Sequence, residues 1–348
     1  MQAPISIGGR LVAGGRPALV VAELGQNHNG DAALAEQLVD AAAWAGADAV
    51  KVVKRDLDSE LSRAASVRRY DSRHAFGTTY GEHRRALELS AELHASLAAR
   101  VRQHGLKYIG TACDVPSAVL LENLNVDAFK IASRDLNNLP LLCDLAARRK
   151  PLILSTGMAD VAEIDVAVSA LRRAACPFAL LQCTSLYPTP VDEVHLRSIG
   201  TLAERYGVAI GFSDHTTGIL LPPVAVAMGA SIVEKHLTLD RNLKGTDHAC
   251  SLEPDEFRHL VMNIRQVEAA LGRADKPVAQ GVASVRARLG RSLVARRPLP
   301  AGTQIEEPML ALKCPGDGLS WLDRQRVLGR CLKRDLEADE MLTADDVL

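Results

Sequence analysis

Eight short apolar runs recur along the first 250 residues, and each run becomes polar at its C-terminal end. The runs are ALVVAEL, DAVKVVK, LKYIGTA, DAFKIAS, PLILSTG, FALLQCTS, VAIGFSDH and SIVEKHL. A continuous apolar run is typical of a strand that is buried on both faces, as in a parallel sheet. An amphipathic stretch with helical spacing follows each run, so the pattern predicts eight alternating strands and helices.

Helices are predicted over residues 31–45, 84–104, 116–124, 139–149, 161–174, 191–206, 218–228 and 254–271. Asp31 is well placed to cap the first of them. Eight strands with polar C-terminal ends predict a closed (β/α)8 barrel, whose chemistry gathers at that face. A doubly wound open sheet is the alternative, but it binds its ligand at one switch point, whereas polar residues follow nearly every run here.

The pattern changes after Leu271, where a polar segment precedes short strand-like runs broken by Pro and Gly. We therefore predict a barrel domain at 1–273, a linker at 274–285 and a small β-rich domain at 286–348. A module of that size has a core too small to be stable alone, so we expect it to need a partner surface.

Composition excludes several classes of protein. The net charge is −1 and aromatic residues make up 3%, so neither a basic stripe nor a stacking platform for nucleic acid is expected. The N-terminal segment has no basic and apolar signal pattern, and no run reaches the length of a membrane span. Seven cysteines without a CxxC pair are typical of reduced thiols. We expect a cytoplasmic protein with no membrane partner.

A set of ordered motifs connects the whole chain to a known family. The motifs are AELGQNHNGD, GTACD, FKIASRD, LSTGM, QCTSLYPTP, GFSDHT, EKHLT and GTDHACSLEPDEF, followed by RSLVARRPLPAGTQI and KCPGDG. The chain resembles the sialic acid synthase family, and its C-terminal part resembles that family's antifreeze-like, or SAF, domain. The resemblance implies a TIM barrel that condenses phosphoenolpyruvate with an aldose such as N-acetylmannosamine, giving a 2-keto-3-deoxy nonulosonic acid and phosphate. It also implies a divalent metal, commonly Mn²⁺ with Mg²⁺ or Co²⁺ as alternatives, and a domain-swapped homodimer.

Phosphoenolpyruvate carries a phosphate and a carboxylate, so its site needs fixed cations and hydroxyl or amide donors. Lys51 and Lys130 lie within apolar runs, where a buried ammonium without an anion would be costly. The alternative is that both lysines reach out into water. The hydroxyl groups expected to complete the site are those of Thr111, Ser133, Ser155, Ser185 and Ser213. For any single serine, a polar barrel rim is an equally good explanation.

His215 and His236 close the seventh and eighth runs, which are neighbours in a barrel. Two neutral imidazoles at that separation can share one ion and leave positions open for water and an aldehyde oxygen. The residues alone favour a metal site and a structural hydrogen-bonding role equally. The resemblance favours the metal.

Glu23 ends the first run, and because Asp31 is the better helix cap, the Glu23 carboxylate is free for another role. Pairing with a lysine is the structural alternative. The resemblance implies that Glu23 orients the substrate and assists proton transfer, while Asp247 and Tyr187 line the sugar side of the site.

Three positions depart from the pattern of the family. Val53 stands where acetamido-sugar synthases usually have Gln, Asp135 where they usually have Glu, and Cys314 where the motif Lys-Arg-Pro-Gly has its arginine. A thiol cannot make the forked hydrogen bonds of a guanidinium. Either Arg324 or Arg134 compensates, or the acceptor is a different one: an aldose without the usual acetamido group, or a smaller aldehyde.

Two further features leave alternatives open. Arg134 follows Ser133 and either meets a charged substituent on the acceptor or faces the outer layer of the barrel. The connection at 63–90 is longer than usual, which predicts a lid or a dimer contact.

Other functions fit the chain less well. A catalytically silent sugar-binding homologue would have broken metal and phosphate positions, and an octulosonate or heptulosonate synthase usually lacks the SAF domain. A pyruvate aldolase on the same fold would use a Schiff-base lysine and release no phosphate.

Overall fold

The computed structural model describes residues 3–348, which form two compact units with the boundary after Gly272. The first unit begins with an antiparallel hairpin of β1 (Ile5–Ile7) and β2 (Arg10–Val12). Apolar side chains of this hairpin belong to the cluster that fills the barrel interior, so the hairpin packs against that interior.

Eight parallel strands close into one barrel, in the order β10-β3-β4-β5-β6-β7-β8-β9. The strands are β3 (Leu19–Gly25), β4 (Ala49–Lys54), β5 (Lys107–Ala112), β6 (Ala128–Ile131), β7 (Leu152–Ser155), β8 (Phe178–Cys183), β9 (Ala209–Asp214) and β10 (Ile232–His236). Each predicted run forms one strand, and the predicted (β/α)8 barrel is confirmed.

Helices alternate with these strands. They are α1 (Ala32–Trp44), α2 (Leu57–Glu60), α3 (Arg63–Ser66), α4 (Tyr80–Ala86), α5 (Ala91–Gln103), α6 (Val115–Asn123), α7 (Leu139–Ala147), α8 (Val161–Arg173), α9 (Ser198–Tyr206), α10 (Leu221–Ala227) and α11 (Pro254–Leu271). Asp31 caps α1 as predicted, because its side chain accepts a hydrogen bond from Leu34 N at 2.9 Å.

Two of the predicted helices were wrong in extent. The helix predicted over 84–104 is divided into α4 and α5, because the Ser90 side chain accepts from Leu93 N and starts a new helix. The helix predicted over 191–206 is a short 3₁₀ turn, Val191–Glu193, followed by α9. Between them His195 has a φ of 50°, a left-handed conformation that interrupts a right-handed helix.

Side chains alternate between two apolar layers along each barrel strand. The outer layer, which includes Val20, Val50 and Phe129, packs under the helices. The interior layer, which includes Val21 and Ala49, fills the N-terminal half of the barrel. Burial of each large aliphatic side chain stabilises the fold by about 1.5–3 kcal/mol. Because the period of a strand is two residues, the next interior positions lie nearer the C-terminal ends, and there the side chains are polar.

The second unit, from Arg273, contains α12 (Val282–Leu289) and an antiparallel pair of β11 (Ser292–Ala295) and β12 (Leu310–Lys313). Its core is small and is centred on side chains such as Leu293, Ile305 and Leu342. The helix α12 was not predicted and overlaps the C-terminal end of the proposed linker. Within residues 3–348, every helix is too short or too polar to cross a membrane.

Candidate active site

A cavity of about 250 Å³ opens at the C-terminal ends of the barrel strands. Most of the side chains predicted from the sequence line this cavity together, although they come from widely separated parts of the chain. They are Glu23, Lys51, Val53, Lys130, Ser133, Ser155, Ser185, Tyr187, Ser213, His215, His236 and Asp247. The structure therefore gathers the proposed phosphoenolpyruvate, metal and sugar residues around one space.

Three predicted residues lie outside the cavity lining. Thr111 is buried on β5, in register with Lys130, and within residues 3–348 its hydroxyl has no hydrogen-bond partner. Asp135 is paired with Arg134, with 3.3 Å between Oδ2 and Nε. Cys314 belongs to the second unit, where it is exposed and its thiol donates to Leu289 O at 3.6 Å.

The base of the cavity holds a buried network of charges around Glu234. Lys51 Nζ lies 3.0 Å from Glu234 Oε1 and 2.6 Å from Glu23 Oε2. Lys130 Nζ lies 3.7 Å from the same oxygen of Glu234, and Ser213 Oγ donates to it at 3.0 Å. Two ammonium groups are thus held side by side by one shared carboxylate.

The environment sets the charge of these groups. Burial lowers the pKa of Lys51 to about 8, and the charge of Lys130 acts in the same direction against the attraction of Glu234. Burial opposes ionisation of Glu234, but Lys130 and Lys51 outweigh it and lower its pKa to about 2. Lys130 Nζ also donates to Ser155 Oγ at 2.7 Å. The arrangement presents two ammonium groups to the cavity, as an anion site requires, each beside a carboxylate, Glu23 or Glu234.

The two predicted metal ligands lie beside each other. The ring centroids of His215 and His236 are 5.4 Å apart. His215 Nδ1 is 3.1 Å from Thr184 O, so this nitrogen donates, and in the neutral ring Nε2 has a free lone pair. Burial opposes protonation of His215, but the neighbouring Cys183 thiol outweighs it and raises the pKa of His215. His236 Nδ1 is buried without a partner among the described residues, and burial lowers the pKa of His236 to about 3. A neutral imidazole with an unused nitrogen is the form that binds a metal.

Protein ligands alone do not complete a metal site. Across residues 3–348, no group of three or more His, Cys, Asp or Glu side chains is arranged to hold an ion. The two imidazoles fit a divalent ion whose other positions would be filled by water and substrate oxygens.

Asp247 and Tyr187 border the same pair of histidines. The Tyr187 ring lies 4.1 Å from that of His215, and Asp247 Oδ1 accepts from Thr246 Oγ1 at 2.8 Å. Burial opposes ionisation of Asp247, but the interaction with His236 and the hydrogen bond from Thr246 outweigh it and lower the pKa of that carboxyl. Asp247 is therefore a carboxylate at neutral pH.

Gly25, at the end of β3, allows His236 and Asp247 to lie close to the backbone. Its φ is 52°, and a Cβ atom there would lie 3.1 Å from His236 Cε1 and 3.2 Å from Asp247 Oδ2. A side chain would be strained by the backbone and crowded by both groups.

Sequence reasoning missed Glu234, although the signal was present. In the run SIVEKHL, strand alternation places Glu234 and His236 on one face and Lys235 on the other. Lys235 accordingly points away from the barrel interior, where its Nζ lies 2.7 Å from Asp214 Oδ2 and both side chains are fully buried. Cys183, Arg55 and Arg84 also line the cavity and were not predicted.

Comparison with known proteins identifies the family of the chain. The model of the NeuB family matches residues 38–276, and the model of the SAF domain matches residues 290–348. The chain belongs to the NeuB family. The resemblance inferred from the motifs is thereby confirmed, as is the SAF character of the small C-terminal domain.

Three named proteins are similar to this chain over most of their length. N,N'-diacetyllegionaminic acid synthase of Legionella pneumophila is 38% identical over 333 residues, covering 93% of this chain and 92% of that protein. N-acetylneuraminate-9-phosphate synthase of Mus musculus is 38% identical over 306 residues, covering 88% and 85%. The crystal structure of N-acetylneuraminic acid (sialic acid) synthetase from Leptospira borgpetersenii, in complex with citrate, is 34% identical with a TM-score of 0.71, covering 82% of this chain and 95% of that one.

Proposed function

We propose that this protein is a synthase that joins C3 of phosphoenolpyruvate to the aldehyde carbon of an open-chain aldose and releases phosphate. The observation that carries the proposal is the pair of buried ammonium groups, Lys51 and Lys130, held by Glu234 in the same cavity as His215 and His236. The synthase names of the relatives support the same reaction class.

Phosphoenolpyruvate would bind at the base of the cavity. Lys51 and Lys130 supply the charge that its phosphate and carboxylate require, and Ser155 and Ser213 already contact this network. Further donors proposed for the same anion are Thr111, Ser133 and Ser185. Because the site is buried, each contact is stronger than it would be in water.

The acceptor would lie on the side of His215 and His236. A divalent metal bound there, Mn²⁺ with Mg²⁺ or Co²⁺ as alternatives, would supply Lewis-acid polarisation of the aldehyde. Tyr187 and Asp247 border this position and would hold the hydroxyl groups of the sugar.

The reaction then needs positioning more than covalent catalysis. C3 of phosphoenolpyruvate forms a bond to the aldehyde carbon, whose oxygen takes a proton, and C2 becomes electron-poor. Water adds to C2, and the bond between C2 and the bridging oxygen breaks, so that phosphate leaves with the electron pair. Glu23, which lies 2.6 Å from Lys51 Nζ, is the carboxylate proposed to orient the substrate and to take the proton from water.

The identity of the acceptor depends on the residues around the sugar. Val53 lines the cavity, and together with Asp135 and Cys314 it departs from the pattern of acetamido-sugar synthases. The Legionella pneumophila and Mus musculus relatives both have 38% sequence identity to this chain. The second is named for a phosphorylated product, and the first is not. We also propose the domain-swapped homodimer that the family resemblance implies, which light scattering of the full chain would test.

Phosphate release from phosphoenolpyruvate with Mn²⁺ tests the function, measured across N-acetylmannosamine, mannose, diacetamido sugars and shorter aldehydes with product masses recorded. We expect release that depends on the aldose and a product with the mass of the aldose plus pyruvate. Lys130→Met should abolish it, whereas Lys150→Met, at a half-buried lysine outside the cavity that contacts Asn125, should not. If the wild type releases no phosphate with any acceptor of the panel, the result would favour a sugar-binding protein.

A further inference from the structure

Three arginines form one wall of the cavity. Arg55 follows β4, Arg84 lies on α4, and Arg134 lies in the 3₁₀ turn after β6. In the eight-strand ring, β4 and β6 are diametrically opposite β8 and β10. His236 ends β10 and Tyr187 follows β8, so the arginine wall faces the proposed aldehyde position across the mouth of the barrel.

The three guanidinium groups are close together and share one carboxylate. Glu60 Oε1 lies 2.5 Å from Arg134 Nη2 and 3.3 Å from Arg84 Nη2, and Glu60 Oε2 lies 3.8 Å from Arg55 Nε. The side chains of Arg55 and Arg84 are only 6% and 7% exposed. Like charges at this degree of burial repel strongly unless anions neutralise them.

Neutralisation is incomplete within the group. Glu88 contacts both Arg55 and Lys54, at 2.7 Å and 3.2 Å, and Asp135 contacts Arg134 at 3.3 Å. Glu60 is the third carboxylate that contacts these arginines, and Asp247, which lines the same cavity, also interacts with Arg55. Because Glu60 is shared by three guanidinium groups and Glu88 is shared with Lys54, the arginines of the wall are only partly paired.

Hydrogen-bond donors are also in excess. The Nε atoms of Arg55 and Arg84 are buried and have no hydrogen-bond partner within residues 3–348. Arg134 Nη2 donates to Cys113 Sγ at 3.2 Å, and a thiol is a weak acceptor. Burial and the neighbouring charge of Arg55 lower the pKa of Arg84. An anion with several oxygens would satisfy both the charge and the donors.

This wall is separate from the proposed phosphoenolpyruvate site. Lys51, Val53 and Arg55 all line the cavity, and they occupy successive alternate positions along the chain. At about 3.3 Å per residue, the Cα atom of Arg55 lies at most about 13 Å from that of Lys51, on the side of the mouth. One phosphoenolpyruvate molecule held by Lys51 and Lys130 would leave the arginines free for the other substrate.

We propose that Arg55, Arg84 and Arg134 bind a terminal phosphate on the acceptor, so that the acceptor is an aldose phosphate rather than a neutral sugar. This inference rests on the proposed synthase function. A phosphate monoester carries about −1.5 to −2 charge and three acceptor oxygens, which suits three guanidinium groups better than a single carboxylate does.

The test compares three acceptors with the full-length protein, phosphoenolpyruvate and Mn²⁺. They are N-acetylmannosamine 6-phosphate, N-acetylmannosamine, and mannuronate, which carries a carboxylate at the same end. We expect the phosphate ester to have a kcat/KM at least about 10-fold above either of the others. Arg84→Gln and the more exposed Arg134→Gln should lower kcat/KM for the ester by about 10- to 100-fold, with the KM for phosphoenolpyruvate unchanged. Arg148→Gln, at an arginine paired with Glu122 and Asp144, is the matched control and should change neither value.

Equal use of the ester and the neutral sugar, or equal loss with both in the variants, would overturn the inference. A higher kcat/KM for mannuronate than for the phosphate ester would mean that the arginines bind a carboxylate of the acceptor, and it would also overturn the inference. If no acceptor is turned over, the proposed function fails, and calorimetric binding of mannose 6-phosphate decides the inference by itself. Binding that Arg84→Gln and Arg134→Gln both weaken would support it, and no binding to the wild type would overturn it.

Discussion

Lys51 Nζ lies 3.0 Å from Glu234 Oε1 at the base of the barrel, and this ion pair is almost fully buried. Glu234 is also the carboxylate nearest to Lys130, so it holds two cations that would otherwise repel each other. When an anion binds, it can take over part of this role. The pair therefore links the stability of the barrel to occupancy of the site.

Removal of the shared carboxylate tests this link. Glu234→Gln leaves two buried ammonium groups with only Glu23 beside Lys51, so we expect the free energy of unfolding to fall by about 3–5 kcal/mol. Inorganic phosphate should restore part of the loss in urea unfolding. Glu122→Gln removes a partly exposed partner of Arg148 and should cost less than about 1 kcal/mol. Equal stability of the two variants, unaffected by phosphate, would refute the link.

The depressed pKa of Lys51 predicts the pH dependence. Its pKa is about 8 in the folded protein, so the ammonium is present below that pH and is lost above it. An anionic substrate needs the ammonium, and kcat/KM for phosphoenolpyruvate should therefore fall as pH rises through about 8. The value of kcat should begin to fall only at a higher pH than kcat/KM does, because the bound anion stabilises the charged lysine. A kcat/KM that is flat from pH 7 to 9.5 would contradict this assignment.

Metal binding can be tested against a matched histidine. His236→Gln should abolish binding of Mn²⁺, measured by electron paramagnetic resonance titration, and should abolish phosphate release. His94 is equally buried, with a pKa that burial lowers to about 3, but it lies on α5 beside Tyr108. His94→Gln should keep the affinity for Mn²⁺. Loss of the ion in both variants, or in neither, would count against the two-histidine site.

Val53 offers a test of acceptor specificity. It lines the cavity. The family resemblance implies that acetamido-sugar synthases usually have Gln at this position. Val53→Gln adds an amide that can hydrogen-bond the acceptor, so kcat/KM for N-acetylated over non-acetylated acceptors should rise by about 5- to 10-fold. Val53→Leu changes the size without adding a polar group and should leave the ratio unchanged. If Val53→Gln also leaves this ratio unchanged, Val53 does not determine acceptor specificity.

The fold was predictable because local sequence patterns indicate which strands are buried and where helices are capped. The eight runs form the eight strands, and Asp31 caps α1. The division at Ser90 was missed because apolar spacing continues across it, although a serine cap was visible. Periodicity therefore located elements better than their ends.

Side chains at the strand ends were also predictable, since a closed barrel brings them together whatever their separation in the chain. Glu234 required the alternation of β10 to be followed residue by residue, because Lys235 and His236 are the more obvious polar residues there. Arg84 lies on a helix of a long connection, and no periodicity indicates where such a helix packs. Its approach to Arg55 and Arg134 was visible only in three dimensions.

The fate of the bridging oxygen of phosphoenolpyruvate tests the central claim most directly. With ¹⁸O at that position, an acceptor that supports turnover and Mn²⁺, the proposed reaction breaks the bond between C2 and oxygen. Mass spectrometry should therefore find the label in the released phosphate, together with a product that has the mass of aldose plus pyruvate. Phosphate without the label would mean cleavage at phosphorus and would contradict the proposed synthase mechanism.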